Sequence, residues 1–479
     1  MLRKTRFYID GHWCEPQTPR ELEVINPADE QPYAVISMGS EEDVDIAVSA
    51  ARRAFPEWST TPHVERIAAV ERLLDIYKRR SEEMAKAISE EMGAPIRLAL
   101  EEQTAAGSYH IRNFIHALKS FEFETPLSDR FSDERIIREP IGVCGLITPW
   151  NWPMNQVALK VVPAVGVGCT VVLKPSEIAP ISSIIFAEMM DEAGFPAGVF
   201  NLINGDGPTV GEAMSRHPDI DMMSFTGSTR AGVAVTKAAA DTVKRVSLEL
   251  GGKSPNLIFA DTDVEAAVVR GLDHCFENTG QSCNAPTRML VERPVYEEAV
   301  EIAERHASSV RVGNPAEDGS HIGPLVSQAQ FDKVQGLIEV AIKEGARLVS
   351  GGPGRPEGFN RGYYVRPTVF ADVTNDMTIA REEVFGPVLA MIPFETEEEA
   401  IAIANDTVYG LSSYIQTGDP ERARRVARQL RSGMVNLNGK SNAPGSPFGG
   451  YKQSGNGREG GQFGLEEFLE VKAVAGWPV

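Results

Sequence analysis

The nonapeptide GQSCNAPTR, Gly280 to Arg288, holds a cysteine between small and polar neighbours, just after what reads as the end of a helix. A spectator thiol usually sits among apolar side chains, whereas Gln281, Ser282 and Asn284 are polar and Gly280 lets the backbone turn freely. That setting suits a presented thiol, and it leaves open whether Cys283 is a nucleophile or a structural cysteine. Other segments carry groups of similar ambiguity. In LITPWNWP, Asn151 ends an apolar strand between Trp150 and Trp152, where its amide either points rigidly into a cleft or closes an Asx turn before Pro153. SLELGG alternates as a half-buried strand does, so Glu249 is either its solvent-facing member or a general base above a cleft. KPSE places Lys174 and Glu177 at a strand tip, the usual place for solvated charge. In SFTGSTRAG, Gly227 permits close backbone approach, and the N–H groups after Ser228 can receive a phosphate at the positive end of the following helix. REEVFGP offers Glu383 and Phe385 ahead of a Gly-Pro turn, and PFGGYKQSGNGRE is a glycine-rich loop whose Phe448 and Tyr451 could cover a pocket.

These groups need a scaffold, and the texture of the chain describes one. From Ser40 to Leu118 apolar residues recur at three- and four-residue spacing between charges, which predicts surface-packed helices. From Ile141 short apolar strands alternate with helical segments: GVCGLIT, a helix through Ala158 to Val167, TVVLKP, ISSIIFAEMMDEAG, VFNLING, MMSFTG, RAGVAVTKAAAD and RVSLELGG. This alternation predicts an α/β fold with a parallel, doubly wound sheet. Such sheets bind ligands beyond the carboxyl ends of their strands, so the motifs are expected where strands stop. A second α/β stretch follows from Asn256 to about Asn438, with a boundary near LGGKSP at 250–255. The polar stretch Phe121 to Ile137 interrupts the first unit as either a loop or an excursion of strands.

Composition limits the partners. The chain has 479 residues, enough for two or three domains, and 42% hydrophobic with 24% charged residues is ordinary for a soluble enzyme. A formal charge of −20 opposes the counterion release on which nucleic-acid binding relies, and it disfavours anionic membranes equally. Cys14, Cys144, Cys169, Cys275 and Cys283 form no CxxC pair and read as free thiols of a reducing compartment. The basic N-terminus is followed by no apolar signal-peptide core, and Val161 to Leu173 is too short to span a bilayer, so a cytoplasmic location is expected. The histidines form no clustered ligand set, and no metal site is expected.

Taken in order, PWNWP, KPSE, FTGSTRAG, LELGGKSP, GQSC, EEVFGP and PFGGYKQSGNGRE resemble the aldehyde dehydrogenase superfamily over essentially the whole chain. The resemblance implies NAD-dependent oxidation of an aldehyde to a carboxylic acid. Cys283 would attack the aldehyde to give a thiohemiacetal, Asn151 and the Cys283 N–H would stabilise the oxyanion, and Glu249 would activate water against the thioester. Cofactor contacts would come from Trp150, from Lys174 and Glu177 at the adenosine ribose, from Gly227 and Ser228 at the pyrophosphate, and from Glu383 and Phe385 at the nicotinamide end. A carboxylate at Glu177 would repel a 2′-phosphate, which implies NAD over NADP, although some such enzymes use both. The implied architecture is a Rossmann-like cofactor domain (residues 1–118 and 139–251), an α/β catalytic domain (252–448), and a small β extension (119–138 and 460–479) joining a homodimer or homotetramer. The pocket for the small aldehyde would lie around Asn155, His274 to Ser282, and Lys440 to Phe448, without a cationic cluster for a dicarboxylic semialdehyde. A coenzyme A-acylating enzyme would share the cysteine, but Glu249 favours water. A cysteine hydrolase would need an oriented histidine, and His274 is the nearest in sequence.

Overall fold

The structure, a computed structural model, describes residues 1–478. Its N-terminal strands are β1 (Leu2–Lys4), β2 (Phe7–Ile9), β3 (His12–Cys14), β4 (Glu21–Asn26) and β5 (Gln31–Ser37). Strands β2 and β3 form a hairpin through Asp10 and Gly11, whose φ values of 53° and 75° give the left-handed pair that a two-residue turn needs. The helices Glu41–Thr60, His63–Arg79, Ser81–Met92 and Ala105–Ser120 follow, as the spacing predicts. The first opens with a capping box between Ser40 and Asp43.

The stretch left open by the sequence is a pair of strands. β6 (Glu124–Ser128) and β7 (Phe131–Pro140) are antiparallel, and β20 (Leu469–Ala475) adds to β7 along its whole length. The last residue of the tail, Val479, lies outside the described residues.

The first large sheet contains β8 (Val143–Ile147), β9 (Thr170–Lys174), β10 (Phe200–Leu202), β11 (Met222–Thr226) and β12 (Arg245–Glu249). Its order is β12-β11-β8-β9-β10-β2-β3, parallel from β12 to β10. Strands β8, β9 and β11 are mainly apolar and buried at every position because both faces are covered, whereas the edge strand β12 alternates. Cys144, Leu146, Val171 and Leu173 join the core on one face, while Val143, Ile147, Val172 and Met223 join the core on the other. The chain builds outward from β8 through β9 and β10, then returns to lay β11 on the opposite side of β8. The crevice between the carboxyl ends of β8 and β11 is therefore the topological switch point.

The second sheet contains β13 (Pro255–Ile258), β14 (Arg288–Glu292), β15 (Arg347–Ser350), β16 (Thr368–Ala371), β17 (Val388–Phe394), β18 (Ser412–Gln416) and β19 (Met434–Leu437). Its order is β15-β16-β17-β14-β13-β18-β19, with only β15 antiparallel. Leu250 to Ser254 carry the chain from the end of β12 into the start of β13, so carboxyl ends of one sheet meet amino ends of the other. This corrects the expectation that every motif lies where a strand stops. Cys283 and Glu383 stand ahead of β14 and β17, because the second sheet offers its entering loops to the shared crevice.

Candidate active site

Cys283 lies on the loop between the helix Val264–Phe276 and β14, and three consecutive left-handed residues shape its approach. Asn278, Thr279 and Gly280 have φ of 52°, 57° and 71°, strained for the first two. A Cβ at Gly280 would lie 2.1 Å from the Gly386 carbonyl oxygen, so only glycine fits. Buried amides hold the strained turn. Asn278 Nδ2 donates to the Asn151 carbonyl at 2.9 Å, Gln281 Nε2 donates to the Asn278 carbonyl at 3.1 Å, and Gln103 Nε2 donates to both the Asn151 carbonyl and Asn278 Oδ1 at 3.0 Å. Asn151 follows β8, is 3% exposed, and spends one amide N–H on the Gln281 carbonyl at 2.9 Å, which leaves the other for a ligand. The amide of Asn151 is tied down by that bond, and the residue lines a cleft.

Two clefts meet at Cys283, which is half-buried. One is lined by Trp150, Asn151, Gly227, Ser228, Glu383 and Phe385. The other is lined by His110, Trp152, Asn155, His274, Glu277 and Phe448. Burial, then the carboxylates of Glu383, Glu249 and Glu459, hold the thiol well above its usual range. His274 packs edge-on against Tyr414, with centroids 5.1 Å apart, and His110 is bonded to Asn155 at 2.7 Å; neither is hydrogen-bonded to the thiol.

Glu249 departs from the sequence reading. It ends β12 but lines neither cleft: the residue is 3% exposed, and both carboxylate oxygens are buried without a hydrogen bond. The carboxylate turns toward the glycine-rich loop, where a Cβ on Gly449 or Gly457 would come within 2.8 or 2.9 Å of Oε1. That loop is stitched beneath β12, with the Leu250 N–H donating to the Ser454 carbonyl at 2.9 Å and Ser454 Oγ to the Gly251 carbonyl at 2.7 Å. Burial and the nearby Glu459 push the Glu249 carboxyl well up, against a smaller pull from Lys160 and Arg458. Lys160 and Glu459 form a buried ion pair at 2.7 Å, and Lys160 Nζ also donates to Ser224 Oγ at 3.0 Å. Sequence reasoning assigned neither. Glu459 closed a quoted motif, but the 299 residues separating it from Lys160 gave no signal of the pairing.

The first cleft has the form of a dinucleotide site at the switch point. Ser228 caps the helix Thr229–Ala239 by accepting from the Ala231 N–H, and a Cβ on Gly227 would meet the Phe225 ring at 2.6 Å. Phe385, at φ 60°, stands edge-on to Trp150 with centroids 5.4 Å apart, and Gln330 Nε2 holds its carbonyl at 2.8 Å. Glu383 Oε1 accepts from the Gly252 N–H at 2.9 Å. Gln330 and Lys333, on the helix Gln328–Lys343, also line the cleft; an amphipathic helix hides such residues among its solvent-facing ones. Lys174 and Glu177 lie at the tip of β9 outside this lining. Lys174 is not the solvated charge usual at a strand tip: its ammonium is buried, donating to the Pro175 carbonyl at 2.8 Å and pairing with Glu177 at 3.4 Å.

Comparison with known proteins agrees with this arrangement. The sequence pattern described as the Aldehyde dehydrogenase family matches residues 13–474. A curated relative from a Pseudomonas species, 3-succinoylsemialdehyde-pyridine dehydrogenase, is 54% identical over 472 residues, covering 98% of each chain. The crystal structure of an aldehyde dehydrogenase from Bartonella henselae superposes with a TM-score of 0.98 at 58% identity, covering 99% of this chain and 100% of that one. A cysteine-to-alanine variant of aldehyde dehydrogenase C from Pseudomonas syringae, solved with NAD+ and octanal, gives a TM-score of 0.97 at 51% identity, covering 99% and 97%.

Proposed function

The chain belongs to the aldehyde dehydrogenase family, and we propose that it oxidises an aldehyde to its carboxylic acid with Cys283 as nucleophile and NAD as hydride acceptor. The observation that carries this reading is the position of the thiol where two clefts meet, one shaped for a dinucleotide and one open for an aldehyde. The cleft residues fit the cofactor: Trp150 and Phe385 give apolar walls, Gly227 leaves room for close approach, and Thr226 Oγ1 is a buried hydroxyl without a partner. NAD, when bound there, supplies the hydride acceptor and a positive charge beside the thiol. Trp150, Gly227, Ser228, Glu383 and Phe385 would hold it, with Lys174 and Glu177 at its adenosine ribose. Glu177 favours NAD over NADP by charge repulsion.

Cys283 Sγ, as thiolate, forms a bond to the aldehyde carbon. The free N–H of Asn151 and the backbone N–H of Cys283 receive the resulting oxyanion, and losing one such donor costs on the order of 100-fold to 1000-fold in rate. Loss of hydride from the thiohemiacetal leaves a thioester on Cys283. Glu249, swung out from its inward position, takes a proton from water, whose oxygen attacks the thioester carbon; the C–S bond breaks, the thiolate leaves, and the acid is released. Gly449 and Gly457 give Glu249 the space to retract, and Glu459 with Lys160 offers an acid and a base to carry its proton away.

We assign residues 1–118 and 139–251 to the cofactor domain, 252–448 to the catalytic domain, and 119–138 with 460–479 to oligomerisation, on the sheet memberships above. The test is Cys283→Ala: NADH production from any aldehyde should fall to background while NAD still binds. Retained turnover contradicts the assignment.

A further inference from the structure

Resting on the reading of Cys283 as the nucleophile, we propose that the aldehyde funnel selects substrates whose far end carries a cationic or basic nitrogen, recognised by the carboxylate of Glu277. The charges on the funnel wall are of one sign. Glu102 and Glu277 line it together with the amides of Asn155, Gln156 and Asn284, and no lysine or arginine is among the lining residues. The imidazoles of His110 and His274 do not compensate, because burial lowers both and keeps them neutral near pH 7.

Glu277 is placed against its own interests. It follows directly on Phe276, the last residue of the helix Val264–Phe276, where the helix dipole disfavours negative charge. It is half-buried, and burial followed by the nearby Glu102 pushes its carboxyl up, with no cation acting in the other direction. A ligand bearing positive charge supplies what the protein withholds. Gln156 adds a second, independent demand: it is 3% exposed, lines both the funnel and the dinucleotide cleft, and leaves Oε1 as a buried acceptor without a donor. Tyr109, Trp152 and Phe448 also line the funnel, and aromatic rings suit a cation shed of its water.

An anionic tail fares badly along the whole route, since Glu249, Glu383 and Glu459 already act on Cys283 at the funnel's floor. Arg270 and Lys440 line an adjoining cleft beyond His274 and Phe448, where Arg270 donates to Gln416 Oε1 at 2.8 Å, and Lys333 lines the dinucleotide cleft.

The experiment compares kcat/KM for three aldehydes of similar length: 4-(trimethylammonio)butanal, hexanal and 4-oxobutanoate. Unit charges about 6 Å apart at an effective dielectric near 20 differ from a neutral pair by on the order of 100-fold, and solvent reduces this. The cationic aldehyde should exceed the neutral one by about 10-fold or more and the anionic one by about 100-fold, with the preference shrinking as salt is raised. Glu277→Gln should cut the cation-to-neutral ratio about 10-fold, and Glu277→Lys should invert the order of the charged pair. Equal or better turnover of 4-oxobutanoate by the unaltered enzyme overturns the proposal, as does a ratio unmoved in Glu277→Gln. No NADH from any of the three would instead overturn the reading of Cys283.

Discussion

Cys283, Asn151 and Glu249 differ in how far their neighbours along the chain determine them. The polar, glycine-led surroundings of Cys283 already set it apart from Cys144, Cys169 and Cys275, all of which are buried. The tether of Asn151 runs to Gln281 and, through its carbonyl, to Gln103, so the anchored amide needs partners 130 and 48 residues away. Glu249 is the least legible, because its inward turn depends on glycines some 200 residues later that a strand pattern does not register. The charges around the thiol have a measurable sign. Burial and then three carboxylates push the Cys283 thiol up in the free enzyme, so its alkylation by iodoacetamide should keep accelerating as pH rises past 9. Glu459 raises both Cys283 and Glu249, so Glu459→Gln should speed alkylation at pH 8 and move the activity profile to lower pH. An alkylation rate that levels off below pH 8 would show that the thiol is not so held.

At the scale of elements, the strands were legible because β8, β9 and β11 are mainly apolar and buried along their whole length, and helices because charges separate their apolar positions. What escaped was the direction in which the second sheet faces, which no local pattern carries. Contacts between elements also escaped. Glu91, wholly buried near the end of the helix Ser81–Met92, accepts from the Ile181 and Ser182 N–H groups at 2.5 and 3.0 Å and so caps the helix Ile181–Glu192 that follows the KPSE strand tip. Burial pushes its carboxyl up to about 7. A raised acid binds its proton more tightly folded than unfolded, so its contribution is complete below about pH 4.5 and lost as pH rises through 7. Thermal stability should therefore fall between pH 5 and 7.5, by up to about 3 kcal/mol from this group, and the slope should flatten in Glu91→Gln; an unchanged slope refutes the assignment. Gly251→Ala tests the joint between the sheets. Its Cβ would lie 2.4 Å from Glu383 Oε2, so the KM for NAD should rise about 10-fold or more while the thiol still alkylates.

On the scale of the whole molecule, the sequence carried the α/β class and the two sheets, while the pairing of β20 with β7 joins segments some 330 residues apart and is invisible to local periodicity. In that small sheet β20 is an edge strand, paired with β7 on one side alone. Exposed edges invite a partner strand, and Val471, 67% exposed on β20, is an apolar residue left in solvent. Sedimentation should give a mass two or four times that of the chain, and Val471→Asp should shift it toward the monomer. A monomeric unaltered protein would contradict the oligomerisation assignment. Among the described residues no helix is long and apolar enough to cross a membrane.

In the proposed mechanism one sulfur carries the acyl group between hydride loss and attack by water. Mixing Glu249→Gln with NAD and hexanal, then measuring NADH and the intact mass together, tests this most directly. About one equivalent of NADH per chain is expected, followed by a stall, with the hexanoyl mass increment on the peptide containing Gly280 to Arg288. Continued turnover at the unaltered rate, or a burst of NADH without acyl mass on Cys283, would contradict it.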